Sequence, residues 1–332
     1  MTEPRDAQIL ELFDEGNPRG LARAITRAES GHGAALIGRL FPRSGTAMTI
    51  GLTGPPGVGK STLSNALVTQ ARRAGKTVGV ISVDPSSPFS HGAILGDRIR
   101  LTDHFTDPGV FIRSMASRGH LGGLAGATGD AVVLMDAFGL DTILIETVGV
   151  GQSEIEIAEL ADTTLVALQP GSGDSIQLLK AGILEVADVF VVNKADHPMA
   201  LQLQREIRGM MEMLEFGGWA PLLVATRANE GAGVDVLWAA INEHAAYLRA
   251  GEGLAVRRRT AFTHRVRSLV MGELGRRIER RIDALLDAPE GAPEDPYRAA
   301  ARLLEPLTGA LPPPGPDENG RLVTARARVK GL

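Results

Sequence analysis

Between residues 48 and 65 the chain reads MTIGLTGPPGVGKSTLSN, and no other stretch restricts the possible folds as much. An apolar, β-prone run, Thr49-Ile50-Gly51-Leu52-Thr53, leads into Gly54-Pro55-Pro56-Gly57-Val58-Gly59-Lys60-Ser61, and a helical pattern starts at once. This is G-x-x-x-x-G-K-[ST] in the strand–loop–helix setting that gives the motif its meaning. Glycine lacks the Cβ that would hold backbone N–H groups away from a phosphate, and it tolerates positive φ. The stretch Gly54, Gly57, Val58 and Gly59 therefore predicts a nest of N–H donors at a helix N-terminus, where the macrodipole also favours an anion. Lys60 would reach the β- and γ-phosphates of a nucleoside triphosphate, and the Ser61 hydroxyl would bind Mg²⁺, with Thr62 beside it on the first helical turn. The blander reading, a glycine-rich turn with an incidental lysine, leaves the coincidence of strand, spacing and helix unexplained.

Composition narrows the class without naming a ligand. The 332 residues are 44% hydrophobic and 22% charged, enough for a large α/β domain with helical additions or for two domains. A net charge of −4 gives no electrostatic reason to expect a nucleic-acid partner. Cysteine is absent, which excludes disulfides and thiolate metal sites and fits a reducing compartment. The N-terminus is acidic and amphipathic rather than basic then apolar, and no apolar run approaches the roughly 20 residues of a membrane span. The expectation is a cytoplasmic protein with no membrane partner.

Along the chain, two short helical patterns at 7–14 and 19–29 are broken at Gly16-Asn17-Pro18, and a short helix is expected at 34–40. Apolar strands are predicted at 77–83, 110–113, 141–146, 163–168, 189–192 and 221–224. Between them fall helical stretches at 122–138, 175–184, 199–216 and 234–248. Strands alternating with helices predict a mainly parallel sheet covered on both faces, a P-loop NTPase α/β fold, with its glycine-rich and polar stretches at strand C-terminal ends. From residue 256 the sequence becomes long, charged and helical. Val266, Leu269, Val270, Leu274, Ile278, Ile282 and Leu285 form a narrow apolar stripe, suited either to an arm-exchanged homodimer or to packing on its own domain. The run Arg257-Arg258-Arg259 and His264 read as a solvated helix face. The organisation expected is a helical extension at 1–44, a nucleotide domain at 45–250, and a helical arm with a proline-rich tail at 251–332.

A second motif sharpens the ligand. Asn193-Lys194-Ala195-Asp196 follows an apolar strand, and an Asp carboxylate there accepts hydrogen bonds from guanine N1–H and the 2-amino group. Adenine offers neither donor and would leave a charge unpaired. Asn193 and Lys194 would hold the loop and cover the base, which favours GTP over ATP. Ala225-Thr226-Arg227, after the last strand, is placed to offer a backbone N–H to guanine O6. Mg²⁺ needs hard oxygen ligands, and beside Ser61 the candidates are Asp84 and Glu146 at strand ends and, less directly, Asp97. Glu146-Thr147-Val148-Gly149 resembles the D-x-x-G of GTPases, so Gly149 would bond the γ-phosphate. No glutamine immediately follows Gly149, and slow intrinsic hydrolysis is expected.

The runs DPSSPF (84–89), GAILGDR (92–98), GHLGG (119–123), ETVGVGQSE (146–154), GSGD (171–174) and VVNKAD (191–196) resemble the MeaB/MMAA family. These are GTPase chaperones of methylmalonyl-CoA mutase and related adenosylcobalamin-dependent acyl-CoA mutases, some of which carry an ArgK-type transport-system kinase label. The resemblance spans about residues 6–290. It implies a SIMIBI-like fold binding GTP or GDP, a Mg²⁺ site completed by Asp84, Asp97 and Glu146, and a homodimer formed through C-terminal helical arms. It also implies a switch in which Asp174, Gln177 and Lys180 respond to nucleotide and mutase, Lys180 becoming the stabilising cation when the partner docks. Read from the residues alone, Asp174 is a helix N-cap and Lys180 a solvated lysine. Two other functions compete: a nickel-type metallochaperone GTPase, which would need Cys or a His-rich tract that the chain lacks, and a small-molecule kinase, against which the guanine-reading Asp196 argues.

Overall fold

The computed structural model describes residues 4–85, 103–117, 125–147, 157–172 and 183–286, with residues 300 and 303 beyond them. Seven parallel strands form one sheet in the order β3-β2-β4-β1-β5-β6-β7. They are β1 (Met48–Thr53), β2 (Val78–Pro85), β3 (Val110–Ser117), β4 (Thr142–Thr147), β5 (Thr163–Leu168), β6 (Val189–Val192) and β7 (Leu222–Ala225). From β1 the chain first builds β2, β3 and β4 on one side, then crosses to build β5, β6 and β7 on the other. That reversal puts a switch point beside the C-terminal end of β1, the place where open α/β sheets bind ligands.

The described helices are α1 (Pro4–Asp14), α2 (Pro18–Glu29), α3 (Ala34–Leu40), α4 (Lys60–Arg73), α5 (Ala125–Phe138), α6 (Ala200–Met211), α7 (Val234–Ala250) and α8 (Gly253–Leu286). Every residue of β1, β4, β5 and β6 is buried, as expected of strands covered on both faces. On one face Ile81, Val83, Ile143 and Ile145 pack with α5, and α1–α3 pack outside it through Phe13, Leu21 and Ile25. On the other, Leu52, Val80, Leu144 and Val191 pack with Leu63 and Leu67 of α4 and Leu237 and Ile241 of α7. Each fully buried aliphatic side chain of this kind contributes about 1.5–3 kcal/mol. The expected helix at 199–216 stops at Met211, and the expected strand at 110–113 runs on to Ser117, where it pairs along the full length of β2. The expected helix at 175–184 lies almost wholly outside the described residues.

The chain divides into two compact units, residues 1–269 and 270–332. Within the first unit, the start of α8 corrects the reading of Arg257, Arg258 and His264 as part of a solvated face, while Arg259 is exposed as that reading expects. Arg257 forks onto Asp188, 2.8 Å from Nη1 to Oδ2 and 2.5 Å from Nη2 to Oδ1, while Arg258 donates to both carboxylate oxygens of Asp162 and to the Ala47 carbonyl. His264 meets Glu159 at 2.8 Å, and Arg265 pairs with Asp130. Asp162 and Asp188 are buried just before β5 and β6, so these pairs fasten α8 to the sheet edge opposite the phosphate loop. Planar guanidiniums suit such two-pronged contacts. In the second unit Val270 and Ile282 of the stripe are exposed, as is Met271 beside it.

Fully buried His244 belongs to the same base. Its Nδ1 lies 2.9 Å from Thr163 Oγ1, its Nε2 3.3 Å from Asp188, and its ring against Trp219. Desolvation holds the imidazole below its ordinary pKa, with Arg257 acting in the same direction and Asp188 and Asp162 opposing it. An unfolded histidine protonates near pH ~6.5, so below that value the unfolded chain takes up a proton that the folded one resists. This contribution to stability is complete above the unfolded pKa and is lost as pH falls through it towards the lowered folded value. The melting temperature should therefore drop on acidification from about pH 7.5 to about pH 5.5, and drop less in His244→Gln. Identical slopes for both proteins would remove His244 as the source.

Candidate functional site

Glycine is required at two points of the loop joining β1 to α4. Gly54 has φ +145° and a Cβ there would lie 2.1 Å from the Ala167 carbonyl oxygen; Gly59, at φ +91°, caps α4 where a Cβ would stand 2.8 Å from Asn193 Nδ2. The loop is thus pressed against the ends of β5 and β6, and only a residue without a side chain fits.

The carbonyls of this loop are tied down individually. Lys60, largely buried, donates from Nζ to the Gly54 and Pro55 oxygens at 2.6 and 3.1 Å. Lys194 Nζ donates to the Gly57 oxygen at 2.8 Å, and Asn193 Nδ2 to the Val58 oxygen at 2.8 Å. In a trans peptide, C=O and the following N–H point in opposite directions. Fixing the Gly57 and Val58 carbonyls on residues of the next loop therefore turns the N–H groups of Val58 and Gly59 the other way. Pro55 and Pro56 carry no N–H, so the donors open to an anion begin at Gly57 and continue into the first turn of α4, which holds Ser61 and exposed Thr62.

Asn193 gathers the rest of the site. Its Oδ1 accepts from Thr226 Oγ1 at 3.1 Å and from the Ala228 N–H at 3.2 Å, so one buried amide joins the loops after β1, β6 and β7. Lys194 takes φ +55°, the only positive φ outside glycine among the described residues, and leaves Asp196 exposed on the rim. The N–H groups of Thr226 and Arg227 donate to the Val192 and Ala232 carbonyls. Those N–H groups are therefore engaged within the protein, and Thr226 acts here as a support for Asn193, with exposed Ala225 closing β7 beside it.

On the other side of the phosphate loop, Glu146 is buried at the end of β4, where β1 and β4 pair Leu52 with Glu146. Its carboxylate accepts from Ser61 Oγ and from Ser64 Oγ, each at 2.7 Å. A serine hydroxyl and a carboxylate at the N-terminus of α4 are the hard oxygen donors that Mg²⁺ takes, so these residues fit that ion. Asp84 is the penultimate residue of β2, paired with Ala116 of β3 and one residue beyond the pairing of Val83 with Thr147 of β4. Asp97, Gly149, Asp174, Gln177 and Lys180 lie outside the described residues. Among the described residues no group of three or more His, Cys, Asp or Glu is arranged to hold a metal, and no helix is long and apolar enough to cross a membrane. Two contributors carried no assigned role in the sequence: Ser64, one helical turn after Ser61, and Gln169, at the end of β5.

Four similarities to known proteins bear on this geometry. The family described as "Methylmalonyl Co-A mutase-associated GTPase MeaB" matches residues 21–283. A relative in Pyrococcus horikoshii, assigned by name only to the GTPase class, is 44% identical over 311 residues, covering 91% of this chain and 98% of its own. The GTPase ArgK of Escherichia coli is 37% identical over 246 residues, covering 71% and 74%. A crystal structure titled LAO/AO transport system kinase superposes with a TM-score of 0.67 at 26% identity, covering 93% of this chain and 99% of that one.

Proposed function

This chain belongs to the MeaB family of methylmalonyl-CoA mutase-associated GTPases, and from that premise we propose that it hydrolyses GTP to GDP and phosphate as a chaperone of an adenosylcobalamin-dependent acyl-CoA mutase, gating cofactor loading and protecting the loaded enzyme. The observation that supports a guanine-nucleotide site best is the Asn193 amide, which joins the phosphate loop to the loop bearing Asp196. Asp196 would accept from guanine N1–H and its 2-amino group, with Lys194 covering the base. The N–H groups of Gly57, Val58, Gly59, Lys60 and Ser61 would surround the β-phosphate, and Lys60 would shift from the Gly54 and Pro55 carbonyls onto phosphate oxygens. Mg²⁺, with Ser61 as ligand and Glu146 and Asp84 behind it, would supply charge neutralisation between the β- and γ-phosphates. Asp97 would join that set and Gly149 would sense the γ-phosphate.

The remaining roles rest on the family. Basal turnover is slow, and Asp174, Gln177 and Lys180 respond to the docked mutase, Lys180 supplying the cation that stabilises the transferring phosphoryl group. Residues 45–250 carry the catalytic fold, 1–44 its helical cover and 251–332 a homodimerisation arm. Exposure of Val266 and Leu269, in line with the stripe, supports that arm. The protein acts in the cytoplasm, without membrane or nucleic acid.

The test is GTP hydrolysis by the purified protein, alone and with candidate adenosylcobalamin-dependent mutases, with ATP as control. One mutase should stimulate the rate about tenfold or more, and Lys180→Ala should keep the basal rate but lose that stimulation. A GTPase that no such mutase accelerates would remove the chaperone role, and a preference for ATP would overturn the reading of Asp196.

A further inference from the structure

Gln169 follows β5 and is half-buried, 25 residues from Lys194 in sequence but hydrogen-bonded to it in space. Its Oε1 accepts from Lys194 Nζ at 2.7 Å, the same ammonium that donates to the Gly57 carbonyl at 2.8 Å. Its Nε2 faces Gly57 itself, 3.8 Å from where a Cβ on that residue would lie. A lysine ammonium on a flexible stem has three donors and no preferred direction of its own. What aims it here is the pair of acceptors, one on the phosphate loop and one on Gln169. The Lys194 backbone stands in the left-handed region at φ +55°, a conformation that an L-residue keeps only where surrounding contacts impose it.

We propose that Gln169 is a positioning residue that fixes the Lys194 ammonium on the Gly57 carbonyl, so that the loop for the base and the nest for the β-phosphate are set as one unit. The inference rests on the guanine-nucleotide reading above and extends it to a residue outside the phosphate-loop and Asn193–Asp196 motifs. Gln169 touches no reacting group. It acts through Lys194: holding the Gly57 carbonyl turns the Val58 N–H inward. Removing the acceptor on Gln169 frees Lys194 to leave the loop, and the nest loses its set geometry before a nucleotide arrives.

The experiment is a double-mutant cycle on the full-length protein, reading the dissociation constants of GDP and GMP for wild type, Gln169→Ala, Lys194→Ala and the double variant. Gln169→Ala should weaken GDP about fivefold to tenfold, the size of one net hydrogen bond at a solvent-exposed ammonium, below that of a buried charge-assisted one. GMP keeps the base that Lys194 covers but lacks the β-phosphate held by the nest, so it should lose some affinity, and clearly less than GDP. In the Lys194→Ala background the Gln169 substitution should have almost no further effect on GDP. Gln169→Met, which keeps the side-chain length without the acceptor, should reproduce the loss with an unchanged melting temperature. Additive losses, or equal losses for GDP and GMP, would overturn the positioning role while leaving the GTPase intact. A wild-type protein that binds no guanine nucleotide would instead overturn the reading on which the inference stands.

Discussion

Lys60→Ala is expected to abolish measurable GTP and GDP binding, a loss of at least about 100-fold in affinity. The variant loses the ammonium that would meet the β- and γ-phosphates, which carry the densest charge in the ligand. The bonds of that ammonium to the Gly54 and Pro55 carbonyls, at 2.6 and 3.1 Å, belong to the nucleotide-free loop and are given up on binding, so their removal does not add to the loss. Arginine should not rescue it, because a planar fork cannot occupy the narrow space that a largely buried lysine fills beneath the loop. Titration calorimetry with GTP and GDP, with the melting temperature as a control for folding, reads the result. GTP affinity equal to that of wild type would remove the phosphate loop as the nucleotide site.

The second large effect should come from Asp196→Asn. Guanine presents two donors, N1–H and the 2-amino group, to an acceptor at this position, and the aspartate carboxylate can accept both. Asparagine keeps one acceptor and replaces the other with an NH₂ that would face the 2-amino group donor to donor. GTP affinity should fall about 100-fold, the cost of a charge-assisted pair replaced by a mismatch. Xanthosine triphosphate carries a carbonyl at C2, which matches the new NH₂, and should bind the variant better than it binds wild type. Asp196 is exposed, so the fold should hardly notice the change. Unaltered GTP affinity, or a gain for ATP instead of xanthosine triphosphate, would place base recognition elsewhere.

Much of the site is legible in the chain because its physics is local. Gly54 and Gly59 stand where the backbone needs positive φ, Lys60 and Ser61 open a helix directly after a buried strand, and Asn193–Asp196 follows another. These patterns are written over a few consecutive residues. Arg257 and Arg258 show the opposite case. A basic run at a helix start reads as a solvated face, yet both side chains reach buried aspartates, 69 residues back at Asp188 and 96 back at Asp162. Asp162 and Asp188 themselves look like ordinary turn residues before strands, and nothing nearby in the sequence marks them as partners of a distant helix.

By itself, the sequence determined the parallel α/β fold, the phosphate loop and the family, since strand periodicity, helix starts and glycine placement follow from backbone sterics and side-chain burial within short windows. The tertiary structure alone decided how the phosphate-loop peptides face. Their carbonyls are held by Asn193 and Lys194, 135 and 137 residues further along the chain, and Lys194 in turn by Gln169. Such contacts exist only after β1, β5 and β6 lie side by side, because hydrogen-bond partners that far apart in sequence are brought within 3 Å by sheet order and leave no local pattern to read.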